Sequence, residues 1–137
     1  MRGKIFTPEE ANQMLPLIAR IADDIVATYA SVNDALQTFE AAKAAAELDA
    51  SREVDVRMAD EAVAEALDRF QALVEEVEAL GGTVKDYENG GIDFYGDVDG
   101  EIVYLCWRRG EARISHFHRL EEGYAARREI PAPSTVA

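Results

Sequence analysis

Apolar side chains in the first eighty residues recur every three or four positions. They fall at Ile18, Ile21 or Ala22, Ile25, Tyr29, Val32, Leu36 and Phe39, the spacing of a helix that buries one stripe in a heptad-like seam. Thr7 and Glu10 form a Thr-x-x-Glu capping box, and Pro8 holds the first helical position. Pro16 lies inside the pattern, where it lacks an N–H and crowds the carbonyl four residues back. The reading is a short angled start over 8–15 and a main rod over 16–48. A second run, Ala59, Val63, Ala66, Phe70, Leu73, Val77 and Leu80, ends at Gly81-Gly82, a helix stop. A helix of about 29 residues is roughly 43 Å long, too long for a small ball. Two rods joined around Asp49-Ala50-Ser51 predict an antiparallel, coiled-coil-like hairpin over 8–80. Ala62, Leu67 and Val74 widen the second stripe, so either the C-terminal part or another subunit covers it.

Beyond Gly82 the period changes from helical to alternating. Ile92-Asp93-Phe94-Tyr95 and the run Glu101 to Trp107 flank Asp99-Gly100, a two-residue hairpin turn of the primed type. That turn pairs Ile92 with Trp107 and Phe94 with Leu105 on an apolar face shared with Val103. The other face gathers Asp93, Tyr95, Tyr104, Cys106 and Arg108. Agreement between turn chemistry and face chemistry supports this register. The next turn, near Arg109-Gly110-Glu111, leaves a choice. A two-residue turn puts His116 and His118 on the Trp107 face and sets Arg108 opposite Arg113, a like-charge pair. A three-residue loop puts both histidines on the Asp93 face, and the reading leans that way. A short helix over 118–128 would hold Gly123 in its interior, which close packing would have to demand. The predicted fold is α+β: the hairpin, a three-stranded antiparallel sheet within 83–118, and this C-terminal helix. One domain would cover 1–128, with a flexible tail over 129–137.

Charge sharpens the picture. The 137 residues carry 14 Lys and Arg against 27 Asp and Glu, a net charge of −13. Residues 1–80 hold seven basic and 17 acidic side chains, whereas six arginines gather after Trp107. Such acidity repels phosphate backbones and anionic lipid, so nucleic-acid and membrane partners are not expected. No apolar run is long enough to span a bilayer, and no apolar stretch follows the basic start as a secretion signal would require. A single cysteine, Cys106, excludes an intrachain disulfide and a thiolate-based zinc cluster. The expected location is the cytoplasm.

The segments FTPEEANQMLP, GGIDF and LCWRRGEARISHFHRLEEGYAAR resemble a family of small uncharacterised prokaryotic proteins, DUF2203. The family pattern is an L-C-W-R-x-G-E run, an aromatic-His pair and then G-[FY]. Leu105, Cys106, Trp107, Arg108, Gly110, Glu111, His118, Gly123 and Tyr124 match it, and Phe117 stands where Trp is commoner. The resemblance implies an intracellular bacterial protein with a helical hairpin and a small sheet. It implies no activity.

Two functional readings remain. The first is a non-catalytic interaction module built on the acidic hairpin, self-associating through the wide stripe or engaging a protein partner. The second is a small-molecule or divalent-metal-binding protein, with an enzyme as its stronger form. Its ligand site would involve Asp93, Tyr104, Cys106, Arg108, Glu111 and Arg127. Its metal ligands would be His118, Glu122 and Asp93, since His118 and Glu122 have the i, i+4 spacing of two ligands on one helix. Cys106 as a nucleophile would need a histidine base and a cation to lower its pKa, but it sits in mid-strand, where a lone cysteine is a small hydrophobe. The late arginines could bind an anion or pair with the acidic helices.

Overall fold

The structure, a computed structural model, describes residues 4–131. The capping box closes as the sequence implies: Glu10 N–H donates to Thr7 Oγ1 at 3.1 Å, and Thr7 N–H donates to Glu10 Oε1 at 2.8 Å. Helix α1 spans Pro8–Gln13 and α2 spans Leu15–Leu48. The break falls at Met14, and Pro16 lies in the first turn of α2, where its missing N–H leaves no helical bond unmade. Asp49 accepts from Ser51 N–H and caps a single 3-10 turn, Ala50–Arg52, which reverses the chain into α3, Glu53–Ala79.

The two long helices pack side by side over small and β-branched residues. Ala22, Ile25 and Val32 of α2 and Ala59, Val63 and Ala66 of α3 are buried. The seam is narrower than predicted: Leu36 and Leu67 are 41% and 46% exposed. No helix among the described residues is long and apolar enough to cross a membrane.

Five antiparallel strands, not three, follow in meander order: β1 Gly82–Asp86, β2 Gly91–Val98, β3 Glu101–Arg108, β4 His116–His118 and β5 Arg128–Glu129. The two unforeseen strands are short and tied by pairing rather than by pattern. In β1, Thr83 faces Asp93 and Val84 faces Ile92. In β5, Phe117 faces Arg128 and His116 faces Glu129, and Ile130 N–H donates to the Ser115 carbonyl at 2.8 Å. The central hairpin has the register read from its turn. Asp99 and Gly100 both have positive φ, +52° and +85°, as a primed turn requires. Ile92 faces Trp107, Asp93 faces Cys106, and Phe94 faces Leu105. Gly96 faces Val103, and any Cβ there would overlap the Leu105 side chain.

The predicted helix over 118–128 is absent. Glu122 instead folds back to accept from Arg119 N–H at 2.9 Å, and Gly123 is extended. Only Tyr124–Ala126 makes one 3-10 turn. Among the described residues no heavy atom beyond its chain neighbours would meet a Cβ on Gly123, so packing gives no return for a glycine in a helix. Two residues of the stretch read as tail make defined contacts. Glu129 belongs to β5 and Ile130 packs on the core, while residues 132–137 lie outside the described residues.

The core lies between the base of the hairpin and one face of the sheet. Ile92, Phe94, Val103, Leu105 and Trp107 meet Ile18, Ile21 and Ile25 of α2 and Val77 of α3. Each such side chain contributes about 1.5–3 kcal/mol through burial. The opposite face of the same strands is left to carry chemistry.

Candidate functional site

Strand alternation sets the site. On β3, Tyr104, Cys106 and Arg108 point away from the core that holds Val103, Leu105 and Trp107. Asp93 of β2 stands opposite Cys106, and β4 brings His118 opposite Tyr104 and His116 opposite Cys106. Both histidines thus share the Asp93 face, the side the reading leaned to, although the loop between the strands runs over residues 109–115 rather than three. That loop is pinned through Glu111: its carbonyl accepts from Trp107 Nε1 at 2.9 Å, and its carboxylate accepts from Arg108 N–H at 2.8 Å.

Asp93, Cys106 and His118 are buried, at 4%, 3% and 3% exposure. One ligand atom from each lies within 4.8 Å of the others. His118 Nε2 sits 3.0 Å from Asp93 Oδ2, and its Nδ1 sits 3.0 Å from the Arg119 carbonyl oxygen. A carbonyl only accepts, so Nδ1 carries a proton and donates it. The Nε2–Oδ2 contact therefore holds one further proton, and the pair is neutral overall. Burial pushes the Asp93 carboxyl up, against the opposing pull of His118 and the Cys106 thiol. Burial, reinforced by the Asp93 carboxylate, pushes the Cys106 thiol up to about 12. A thiol so shifted keeps its proton near neutrality and is a poor nucleophile. A metal ion changes that balance by replacing the thiol proton outright.

These three residues form part of the wall of an open cleft of about 570 Å³, lined also by Tyr29, Tyr87, Tyr104, Lys85 and Arg108. Tyr104 stacks on Tyr95 with ring centroids 5.0 Å apart and meets the His118 ring at 5.3 Å. Its hydroxyl is pushed up to about 12, first by the hydrogen bond with Tyr95 and then by burial.

Three residues read from the sequence as site candidates serve other contacts. Arg127 donates to both carboxylate oxygens of Glu111, at 3.0 and 2.7 Å, so that pair clasps the last strand to the β3–β4 loop. Glu122 borders the cleft, but it accepts from Arg119 N–H and Arg128 rather than joining the buried triad. The helical i, i+4 pairing of His118 with Glu122 fails because no helix forms there. Cys106 takes the third position instead. The late arginines mostly pair with acids: Arg109 with Asp23 of α2, Arg119 with Glu101, and Arg128 with Glu122. Lys85, Tyr87 and Tyr29 went unread as site residues. Lys85 lies in the short β1, and Tyr29 belongs to an ordinary helical stripe, so only the fold unites them.

A family model described as "Uncharacterized conserved protein (DUF2203)" matches residues 4–130. No curated protein and no solved structure matches the chain.

Proposed function

The chain belongs to the DUF2203 family, whose description carries no activity, and from the site itself we propose a divalent-metal-binding protein in which Asp93, Cys106 and His118 hold one ion in the wall of a ligand cleft. The observation that carries this reading is the convergence of three chemically distinct donors, all buried, within 4.8 Å. A mixed nitrogen, oxygen and sulfur set suits Zn²⁺. Ligand atoms around tetrahedral zinc stand roughly 3.3–3.7 Å apart, given bond lengths near 2.0–2.3 Å. The Asp93–His118 contact at 3.0 Å needs to open by only a few tenths of an ångström.

Two further features support it. The donation from His118 Nδ1 to the Arg119 carbonyl fixes the ring and aims Nε2 at the site, the outer-shell arrangement of metal-bound histidines. The charges also balance. Loss of the thiol proton and of the proton shared by Asp93 and His118 leaves two anionic ligands and one neutral one, which offset a divalent ion. Three protein donors leave a fourth position facing the cleft. Native mass spectrometry of protein incubated with zinc tests the proposal. One zinc per chain is expected, lost in His118→Gln and in Cys106→Ser. Zinc retained by both variants would sink it.

The second reading, a self-associating interaction module, draws on apolar side chains near the hairpin turn. Leu48, Val54 and Met58 are 92%, 46% and 64% exposed. Light scattering decides it: a dimer dissociated by Met58→Glu supports the reading, and a strict monomer ends it.

A further inference from the structure

Arg108 stands two residues along β3 from Cys106, on the same face and roughly 7 Å away at the 3.3–3.4 Å rise of a strand. Its partner across the hairpin is Gly91, which places no side chain over it. A guanidinium offers five N–H donors in a planar fork. Among the described residues, Arg108 commits its side chain to one hydrogen bond, from Nη2 to Asp86 Oδ2 at 3.2 Å. Asp86 is already engaged with its own turn, accepting from Glu88 N–H, Asn89 N–H and Asn89 Nδ2. Arg108 Nε is the one buried side-chain nitrogen or oxygen without a partner among the described residues. A buried donor left unpaired in a cleft wall is a group awaiting an acceptor. The Arg127 guanidinium lies over the same Tyr124 ring, at 4.3 Å, but both its arms are spent on Glu111.

We infer that the cleft takes a small organic carboxylate, gripped through its oxygens by the Arg108 guanidinium with its planar body against the tyrosines. A carboxylate matches the guanidinium fork in shape. Charge limits how anionic the ligand can be: Lys85 and Arg108 stand against Asp86, Glu88 and Glu122, with the Asp93–His118 pair neutral, so a dianionic phosphate is disfavoured more than a monoanion held locally by Arg108. Tyr29, Tyr87, Tyr104 and Tyr124 supply flat walls. Tyr124 already shows how Arg108 receives a ring, 4.0 Å from the guanidinium carbon to the ring centroid. Tyr124 covers the face of the guanidinium, held between Arg108 and Arg127, and the half-buried Arg108 offers a carboxylate the in-plane edge of its fork. The inference rests on the cleft being the functional site and deepens that reading by naming its ligand class. It does not require the ion.

Benzoate is the probe, with inorganic phosphate as the contrast, titrated into the full chain with and without zinc and followed by calorimetry. The Arg108 Nε–H resonance in the wild-type protein is followed in parallel. Saturable benzoate binding that moves this resonance is expected, weakened at least tenfold in both Arg108→Gln and Arg108→Lys. Zinc stoichiometry should be unchanged in those variants. Arg108-dependent benzoate binding by a chain that takes up no zinc would support the carboxylate site and overturn the metal reading alone. Zinc uptake with no benzoate binding, or with binding indifferent to Arg108, would overturn the carboxylate site alone. Tighter binding of phosphate than of benzoate would overturn the ligand class.

Discussion

The two faces of the sheet bury side chains by opposite means, one throughout and the other at three residues beside an open cleft. On one face Ile92, Phe94, Leu105 and Trp107 are at most 2% exposed and meet other apolar side chains. On the other, Asp93, Cys106 and His118 are at most 4% exposed and meet one another. Apolar burial stabilises by removing surface from water and tolerates any partner of the right volume. Polar burial stabilises nothing unless each group finds its acceptor or donor, and then it fixes one arrangement. The first face holds the fold. The second spends stability on a defined geometry, which is what a binding site requires.

That contrast breaks most visibly on the apolar side. Phe94→Ala should cost about 3–5 kcal/mol in urea unfolding, through lost burial and the cavity left behind. A cost below about 1 kcal/mol would mean that the sheet face is not the core. On the polar side, His118→Ala leaves Asp93 to take up its raised, protonated form, and about 1–3 kcal/mol should be lost. The folded spectrum should survive while zinc retention disappears. A chain unfolded by this change would make the pair structural rather than functional. Asp93→Asn sharpens the point, because an amide can still donate to Nε2 and should cost less than the histidine deletion.

Smaller effects separate the clasp from the site. Hydrogen bonds from Arg127 and Arg108 N–H outweigh the upward push of burial, so the Glu111 carboxyl is held below its ordinary 4.5. A depressed carboxylate pKa stabilises the fold fully above the unfolded value and ceases to do so as pH falls through the folded one. The stability gap between wild type and Glu111→Gln should therefore be constant near neutrality and close below about pH 4.5. A gap independent of pH would remove Glu111 from the clasp. The thiol of Cys106, buried and pushed up to about 12, should resist iodoacetamide at pH 8 until the chain unfolds. Rapid native alkylation would contradict its placement. Smallest of all, Met58→Glu on the distal hairpin should change monomer stability by less than about 0.5 kcal/mol.

Much of the apolar side was legible in the sequence, because periodicity and turn chemistry report burial directly. Asp99-Gly100 alone fixed which residues of β2 and β3 share a face. The polar side was legible only in pieces. Asp93, Cys106 and Arg108 followed from that register. The like-charge pairing of Arg108 with Arg113 steered His118 to the same face, though the loop is longer than the three residues read. The pairing of His118 with Glu122 assumed a helix, and among the described residues nothing packs close to Gly123 to offset its cost in one. Glu111 and Arg127 gave no sign that they would spend themselves on each other, since their contact spans 16 residues and depends on a two-residue strand. β1 and β5 have five and two residues, too few alternations to be told from loop, whereas the three-residue β4 was reached only through the register of β3 and the turn at Gly110.

The central claim is that Asp93, Cys106 and His118 close on a single ion, and cobalt substitution tests it most directly. Co²⁺ added to the purified full chain should produce one equivalent of a thiolate-to-metal absorption band, absent in Cys106→Ser and in His118→Gln and displaced by Zn²⁺. A chain that shows no such band, or one that keeps it in the His118 variant, would contradict the account.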